Sequence, residues 1–369
     1  MKFSCLANEL AIALQNASKV VATRSSLAVI EGILLEATQD HVCLVGYNFD
    51  VAITTTIDAK VEAEGKIVLG AKLFTEIVRR IPEGVVQVET QDLHLKITNN
   101  SSEFNIVGLE ANEYPELPQV AAENTITMDA EKFKNLVNKT TYAASTDETK
   151  LLYTGVLMST SGKSMTMVAL DGFRLAIKKE AINPTGEISI ICPSKSLQEV
   201  ARLVSSADPE IFIDISSSYA MFQTSNCKVI SKLLEGKFLD YETTIPKEFR
   251  TRIVVKTQDF IASIERTSVI VQDKLKAPIT LELRKMSVHL SCEGSTGWAN
   301  DELPCSVEGE ELRISFNSRL LLEALRVCGT EEICLKFLSD ISPVVLEPAT
   351  DEENFLFLVL PVRTNSGTD

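Results

Sequence analysis

A polar pattern that returns at domain-length spacing constrains this chain more than any other feature. Between Gly70 and Ile81, Lys72, Glu76 and Arg79 share one helical face at i, i+4 and i+7, while Leu73, Phe74, Ile77, Val78 and Ile81 form an apolar stripe. The pattern recurs 123 residues later as Lys195, Glu199 and Arg202, backed by Leu197, Val200, Ala201 and Val204. A further 124 residues on, it returns as Arg319, Glu323 and Arg326, backed by Leu321, Ala324, Leu325 and Cys328. Packing on a sheet requires a repeated apolar stripe but does not require a solvated face to repeat its charges. Either a duplicated domain kept surface ion pairs worth a few tenths of a kcal/mol each, or the three faces meet one common ligand.

The repeat extends well beyond these helices. Leu10 and Leu14 correspond to Phe133 and Val137, and Gly32-Ile33-Leu34 to Gly155-Val156-Leu157, all 123 residues apart. Each unit opens with a strand and an amphipathic helix, continues through several strand-like runs, and reaches the charged helix before a last group of strands. Proline-bearing boundaries, Glu113-Tyr114-Pro115 and Asp240-Tyr241 to Pro246, separate the units. The spacing predicts three like domains, at 1–123, 124–249 and 250–369, of α+β class with antiparallel sheets and two helices each. The 369 residues suit that count.

The eight cysteines include no Cys-x-x-Cys pair, and the three histidines stand singly in strand-like segments, so no metal, cofactor or disulfide framework is expected. No phosphate loop, nucleophile elbow or zinc-protease motif is present. The loop Asp171-Gly172-Phe173-Arg174 has a turn's composition, and Asp171 and Arg174 lack a partner base or nucleophile. No catalytic residue and no enzyme activity are expected. Without a long apolar run or a secretory leader, a soluble, cytoplasmic protein with no membrane association is expected. The net charge of −15 is unevenly spread: the six predicted helices together carry +7 and the rest −22. Broad electrostatic grip on nucleic acid is excluded, but a mildly basic helical surface on an acidic body is not.

The Thr23-Arg24 turn, the Glu113-Tyr114-Pro115 boundary, the loop Asp171-Gly172-Phe173-Arg174-Leu175-Ala176, the Asp240-Tyr241 boundary and the terminal Leu360-Pro361-Val362-Arg363 resemble the beta subunit of bacterial DNA polymerase III, the sliding clamp, over the whole chain. The resemblance implies three DNA-clamp domains per chain and two chains closing head to tail as a homodimeric ring around duplex DNA, a processivity factor without sequence preference. Arg24, Lys72, Arg79, Arg80, Lys195, Arg202, Arg319 and Arg326 would then face DNA. A peptide-binding pocket would comprise Tyr153, Leu170, Gly172, Phe173, Arg174, Leu175, Thr244, Leu358, Leu360 and Val362. It would receive short motifs of a replicative polymerase subunit, a clamp loader and repair proteins. The dimer interface would join Phe104 and Ile106 to Ile270 and Val271. Tyr153, Leu239 and Thr243 depart from the family's usual residues, and the chain continues beyond Arg363 with a polar segment, Asn365 to Asp369. The alternative is a triplicated interaction scaffold that does not encircle DNA.

Overall fold

The structure is a computed structural model that describes residues 1–100, 102–183, 186–270, 278–350 and 353–363; Val271 and the segment 365–369 lie outside the described residues. The chain forms two compact units, Met1–Phe133 with Glu199–Leu233, and Lys134–Gln198 with Leu234–Asp369.

In the first unit, a five-stranded antiparallel sheet runs in the order Lys60–Ala63, Lys2–Leu6, Val85–Gln91, His94–Asn99, Ser102–Val107. Strict alternation builds it: Phe3, Val86, Val88, Leu95 and Ile97 all point inward. Helices α1 (Ala7–Ala17) and α2 (Ala71–Arg79) contribute Leu10, Leu14, Phe74 and Val78 to the same core. An eight-stranded antiparallel sheet runs Asn124–Asp129, Glu210–Ile215, Tyr219–Gln223, Cys227–Lys232, Val51–Asp58, His41–Tyr47, Gly32–Thr38, Gly65–Gly70. Gly46 is required where a sheet strand passes under α1, because a Cβ there would meet the Ala17 carbonyl oxygen at 1.9 Å.

The boundary between the units falls within α3 (Ala130–Thr140) and α4 (Ser194–Leu203). In the second unit, a nine-stranded antiparallel sheet runs Ile188–Pro193, Gly155–Ser161, Ser164–Leu170, Arg174–Ala181, Phe355–Val359, Val344–Pro348, Glu332–Phe337, Thr251–Lys256, Val307–Gly309. A four-stranded sheet runs Gly297–Pro304, Ser287–Gly294, Pro278–Arg284, Leu312–Asn317. Helix α5 (Thr257–Ser268) is tied to the Gly297–Pro304 strand by Arg266 and Ser263, which donate to Asp301 at 2.5 and 2.8 Å. Helix α6 (Ser318–Cys328) begins at Asn317, whose side chain accepts from the Arg319 amide at 3.0 Å, and ends at Gly329 in the left-handed region.

The repeat is visible in strand register. The hairpin partners Gly46 and Ile53 become Ala169 and Ala176, then Cys292 and Ala299, each 123 residues further on. The outer strand of the first hairpin pairs with Cys227–Lys232, placing Ala52 opposite Ile230. The outer strand of the second pairs with Phe355–Val359, placing Leu175 opposite Leu358. Sheets therefore run unbroken from the first sequence repeat into the second and from the second into the third, so the compact units cut across the repeats. The outer strand of the third hairpin, Gly297–Pro304, is a sheet edge, and so is Ser102–Val107.

Candidate binding surfaces

The apolar stripes of the charged helices are buried as expected on α4 and α6. On α2, Phe74 and Val78 are buried and Ile77 is half-buried, but Leu73 is exposed, because Ala71 occupies the core-facing position at the start of the helix. The polar faces are internally paired. Glu76 accepts from Arg79 at 2.9 Å and from Arg80 at 3.1 Å, and the Arg80 bond first, with Arg79 beside it, holds the carboxyl below the usual range. Arg202 pairs with Glu199, and Arg319 with Glu323 at 2.7 Å. Arg326 turns to Glu265 of α5 at 2.6 Å, and Lys195 to Glu148 at 3.3 Å. The repeated acidic residue is thus a counter-ion for an arginine on its own helix. Lys72 and Arg24 are exposed and make no ion pair among the described residues.

The loop between Ser164–Leu170 and Arg174–Ala181 is a tight hairpin turn. Gly172 has φ +93°, and the Asp171 carboxylate accepts from the amides of Phe173 at 2.8 Å and Arg174 at 3.0 Å. This leaves Phe173 exposed at the tip and directs Leu170 and Leu175 inward, paired across the strands. The last strand meets the loop directly, since the Leu360 amide donates to the Phe173 carbonyl at 2.8 Å. Val362 is then fixed by its amide on Ser315 at 2.8 Å. Arg174 does not project into solvent: its guanidinium bonds Asp171 at 3.0 Å and Glu323, and lies 5.3 Å from the centre of the Tyr142 ring.

Leu170, Leu175 and Leu358 belong to one apolar cluster with Val168, Ile177, Ile191 and Phe238, and Tyr153 packs against it. Thr244 lies in the short helix Tyr241–Thr244 beside this cluster and spends its hydroxyl on the Tyr241 carbonyl at 2.7 Å. Leu360 and Val362 are exposed at its margin. A cleft of about 480 Å³ opens along the same apolar surface, over Ile177, Tyr241, Ile245 and Leu356, with Lys179, Lys247 and Glu347 at its rim. None of the ten residues expected from the sequence lines that cleft; it continues the surface on which they sit. Ile177 and Leu356 were detectable only through cross-strand register, since they stand opposite each other two positions beyond Leu175 and Leu358.

At the free edges, Phe104 and Ile106 face their own core, half-buried and buried, whereas Val107 is 69% exposed. Ile270 packs beside Gly297, and the single tryptophan, Trp298, is 72% exposed. Among the described residues there is no cluster of metal-ligating side chains and no helix long and apolar enough to cross a membrane.

Comparison with known proteins matches three family models in succession: the DNA polymerase III beta subunit N-terminal domain over residues 1–118, the central domain over 127–240 and the C-terminal domain over 242–363. The "Beta sliding clamp" of Bacillus subtilis is 31% identical, with 99% of this chain and 100% of that protein covered. That of Halalkalibacterium halodurans is 32% identical, with 94% and 95% covered. Among solved structures, the Bacillus subtilis DNA polymerase sliding clamp superimposes with a TM-score of 0.94 at 30% identity, covering 99% of each chain. The beta subunit from Streptococcus pyogenes DNA polymerase gives 0.94 at 27% identity, covering 99% of this chain and all of that one. The antiparallel sheets and paired helices are thus those of a three-domain clamp fold, and the chain belongs to the DNA polymerase III beta subunit family.

Proposed function

We propose that this protein is a cytoplasmic, non-catalytic DNA sliding clamp, built of domains 1–123, 124–249 and 250–369, whose two copies close head to tail around duplex DNA. The observation that carries the reading is the fate of the sheet edges. At each internal junction the outer strand of one repeat's hairpin pairs with the last strand of the next repeat. Among the described residues, the two edges of that kind left over are Gly297–Pro304 and Ser102–Val107. Unpaired edges of this length invite strand addition, and the same junction made with a second copy would consume both. Continuing the 123-residue correspondence, Ala52 and Leu175 become Trp298, and Ile230 becomes Val107. Ile230 and Leu358 are 6% and 4% exposed where they meet their partners, so exposed Val107 and Trp298 are supplied with a cover. In this register Ile106 stands opposite Ala299, with Phe104 and Ile270 nearby.

The exposed basic side chains of α2, α4 and α6, with Arg24, would contact phosphates. Their glutamate counter-ions keep each contact weak, which suits a ring held by topology and free to move. The apolar surface around Leu175 and Leu358 would receive extended peptides with Leu or Phe anchors from a polymerase, a loader or repair proteins.

The test is a cysteine pair, Val107→Cys with Trp298→Cys. Oxidation should give a covalently joined dimer that neither single variant gives, and a ring loaded on nicked circular DNA and then oxidised should stay there and be lost after linearisation. Absence of the crosslink would reject this register, and equal retention on linear and circular DNA would favour the scaffold reading.

A further inference from the structure

The third copy of the repeated glutamate has acquired a second task. Glu76 and Glu199 bond arginines of their own helices. Glu323 holds Arg319 on Oε1 at 2.7 Å, and its Oε2 accepts from Arg174, a residue 149 positions earlier in the chain. Arg174 is only 10% exposed in its side chain, and it passes the contact on through Nε to Asp171 Oδ2 at 3.0 Å. The other oxygen of Asp171 receives the Phe173 and Arg174 amides. One line of bonds therefore runs from α6 through Glu323, Arg174 and Asp171 to the backbone of the loop. Partial burial opposes ionisation of Glu323, but the bonds from Arg319 and Arg174 outweigh it and keep its carboxyl below the usual range.

We propose that Glu323 is a positioning residue for the 170–175 loop and that its carboxylate is shared between Arg174 and Arg319, so that engaging Arg319 from outside tightens the loop. The proposal rests on the peptide-pocket reading and deepens it. A carboxylate serving two guanidinium groups divides its attraction between them. A phosphate that draws the exposed Arg319 off α6 leaves the charge to the buried Arg174, and the loop that carries Phe173 and Leu175 is held more firmly. The polar face of α6 and the peptide surface thereby become linked through a single side chain.

Hydrogen exchange of the Phe173 and Arg174 amides in the ligand-free full chain reads this directly. Glu323→Gln should speed exchange about tenfold, the scale of a hydrogen bond between charged groups. Arg174→Gln should do the same, and the double variant should be no faster than either single one. Arg319→Ala should slow exchange by about two- to fivefold, the worth of an exposed pair. Unchanged exchange in Glu323→Gln, or additive effects in the double variant, would overturn the positioning role; unchanged or faster exchange in Arg319→Ala would overturn the sharing. Affinity for a labelled peptide carrying adjacent Leu and Phe, measured by fluorescence polarisation, should fall about tenfold in Glu323→Gln. A wild-type protein that bound no such peptide would reject the pocket reading, while the exchange data would still decide the role of Glu323.

Discussion

Replacing Glu353 by Gln should cost this protein about 2 kcal/mol, because the carboxylate neutralises two buried ammonium groups at once. Lys178 is 2% exposed and Lys139 7% in their side chains. Glu353 meets Lys178 at 2.5 Å through one oxygen and Lys139 at 3.0 Å through the other, and Glu180 meets Lys178 at 2.9 Å. The four charges cancel, and the Phe355 ring lies 4.9 Å from Lys139. Breaking a buried ion pair typically costs ~3–5 kcal/mol. The figure is reduced here because Glu180 remains on Lys178 and Glu353 is a quarter exposed. A loss of ~2 kcal/mol corresponds to a fall of roughly 4–8 °C in Tm for a cooperative unit of about 200 residues. Differential scanning calorimetry at pH 7 measures it. The pH dependence supplies an independent check. Burial raises the Glu353 pKa, but the bonds from Lys178 and Lys139 more than offset this, so the folded value lies below the unfolded one. Its contribution is full above the unfolded carboxyl pKa of ~4.3 and is lost as pH falls through the folded value. The difference between wild type and variant should therefore shrink below about pH 4. Lys178→Met should be milder, since Glu353 keeps Lys139 and the aliphatic replacement suits the site. A variant melting within about 1 °C of wild type at pH 7 would show that the quartet contributes no net stability.

Two further outcomes follow from packing and burial. Gly46→Ala should destabilise the first unit by about 3 kcal/mol, the upper end of overpacking costs, because the new methyl meets the backbone carbonyl of Ala17 rather than a side chain that can move; urea unfolding would show a lower midpoint. Burial pushes the thiols of Cys5 and Cys328 up to about 12, so neither should react with a thiol-directed reagent in the native protein at pH 8, whereas all eight free cysteines should react in denaturant.

Local signals in the sequence were faithful where the interactions are local. The 3.6-residue periodicity of α4 and α6 identifies their buried faces, and Asp171-Gly172 specifies the hairpin turn that the structure contains. Leu73 escaped because a periodicity wide enough to include it does not reveal which margin of the stripe the core covers. The partner of Arg326 escaped for a related reason: the residue is at i+3 from Glu323, yet it pairs with Glu265, 61 residues earlier. The role of Arg174 was hidden most deeply, since sequence marks the residue but not the burial that turns its charge inward. The joining of sheets between repeats was equally out of reach, because strand 51–58 finds its neighbour at 227–232, and nothing within either strand names the other.

That last pairing also sets an order of events during synthesis. Residues 1–133 hold most of the first compact unit, but the strand Val51–Asp58 has one side unmatched until Cys227–Lys232 has been made. At ~5–20 residues per second, the roughly 170 residues between them take about 10–30 s to translate. For that interval the nascent chain carries an open template for strand addition on every ribosome of a crowded message. The polar Thr54-Thr55-Thr56 run in that strand, in place of a continuous apolar sequence, lowers the hazard while the chain waits for its own later strand.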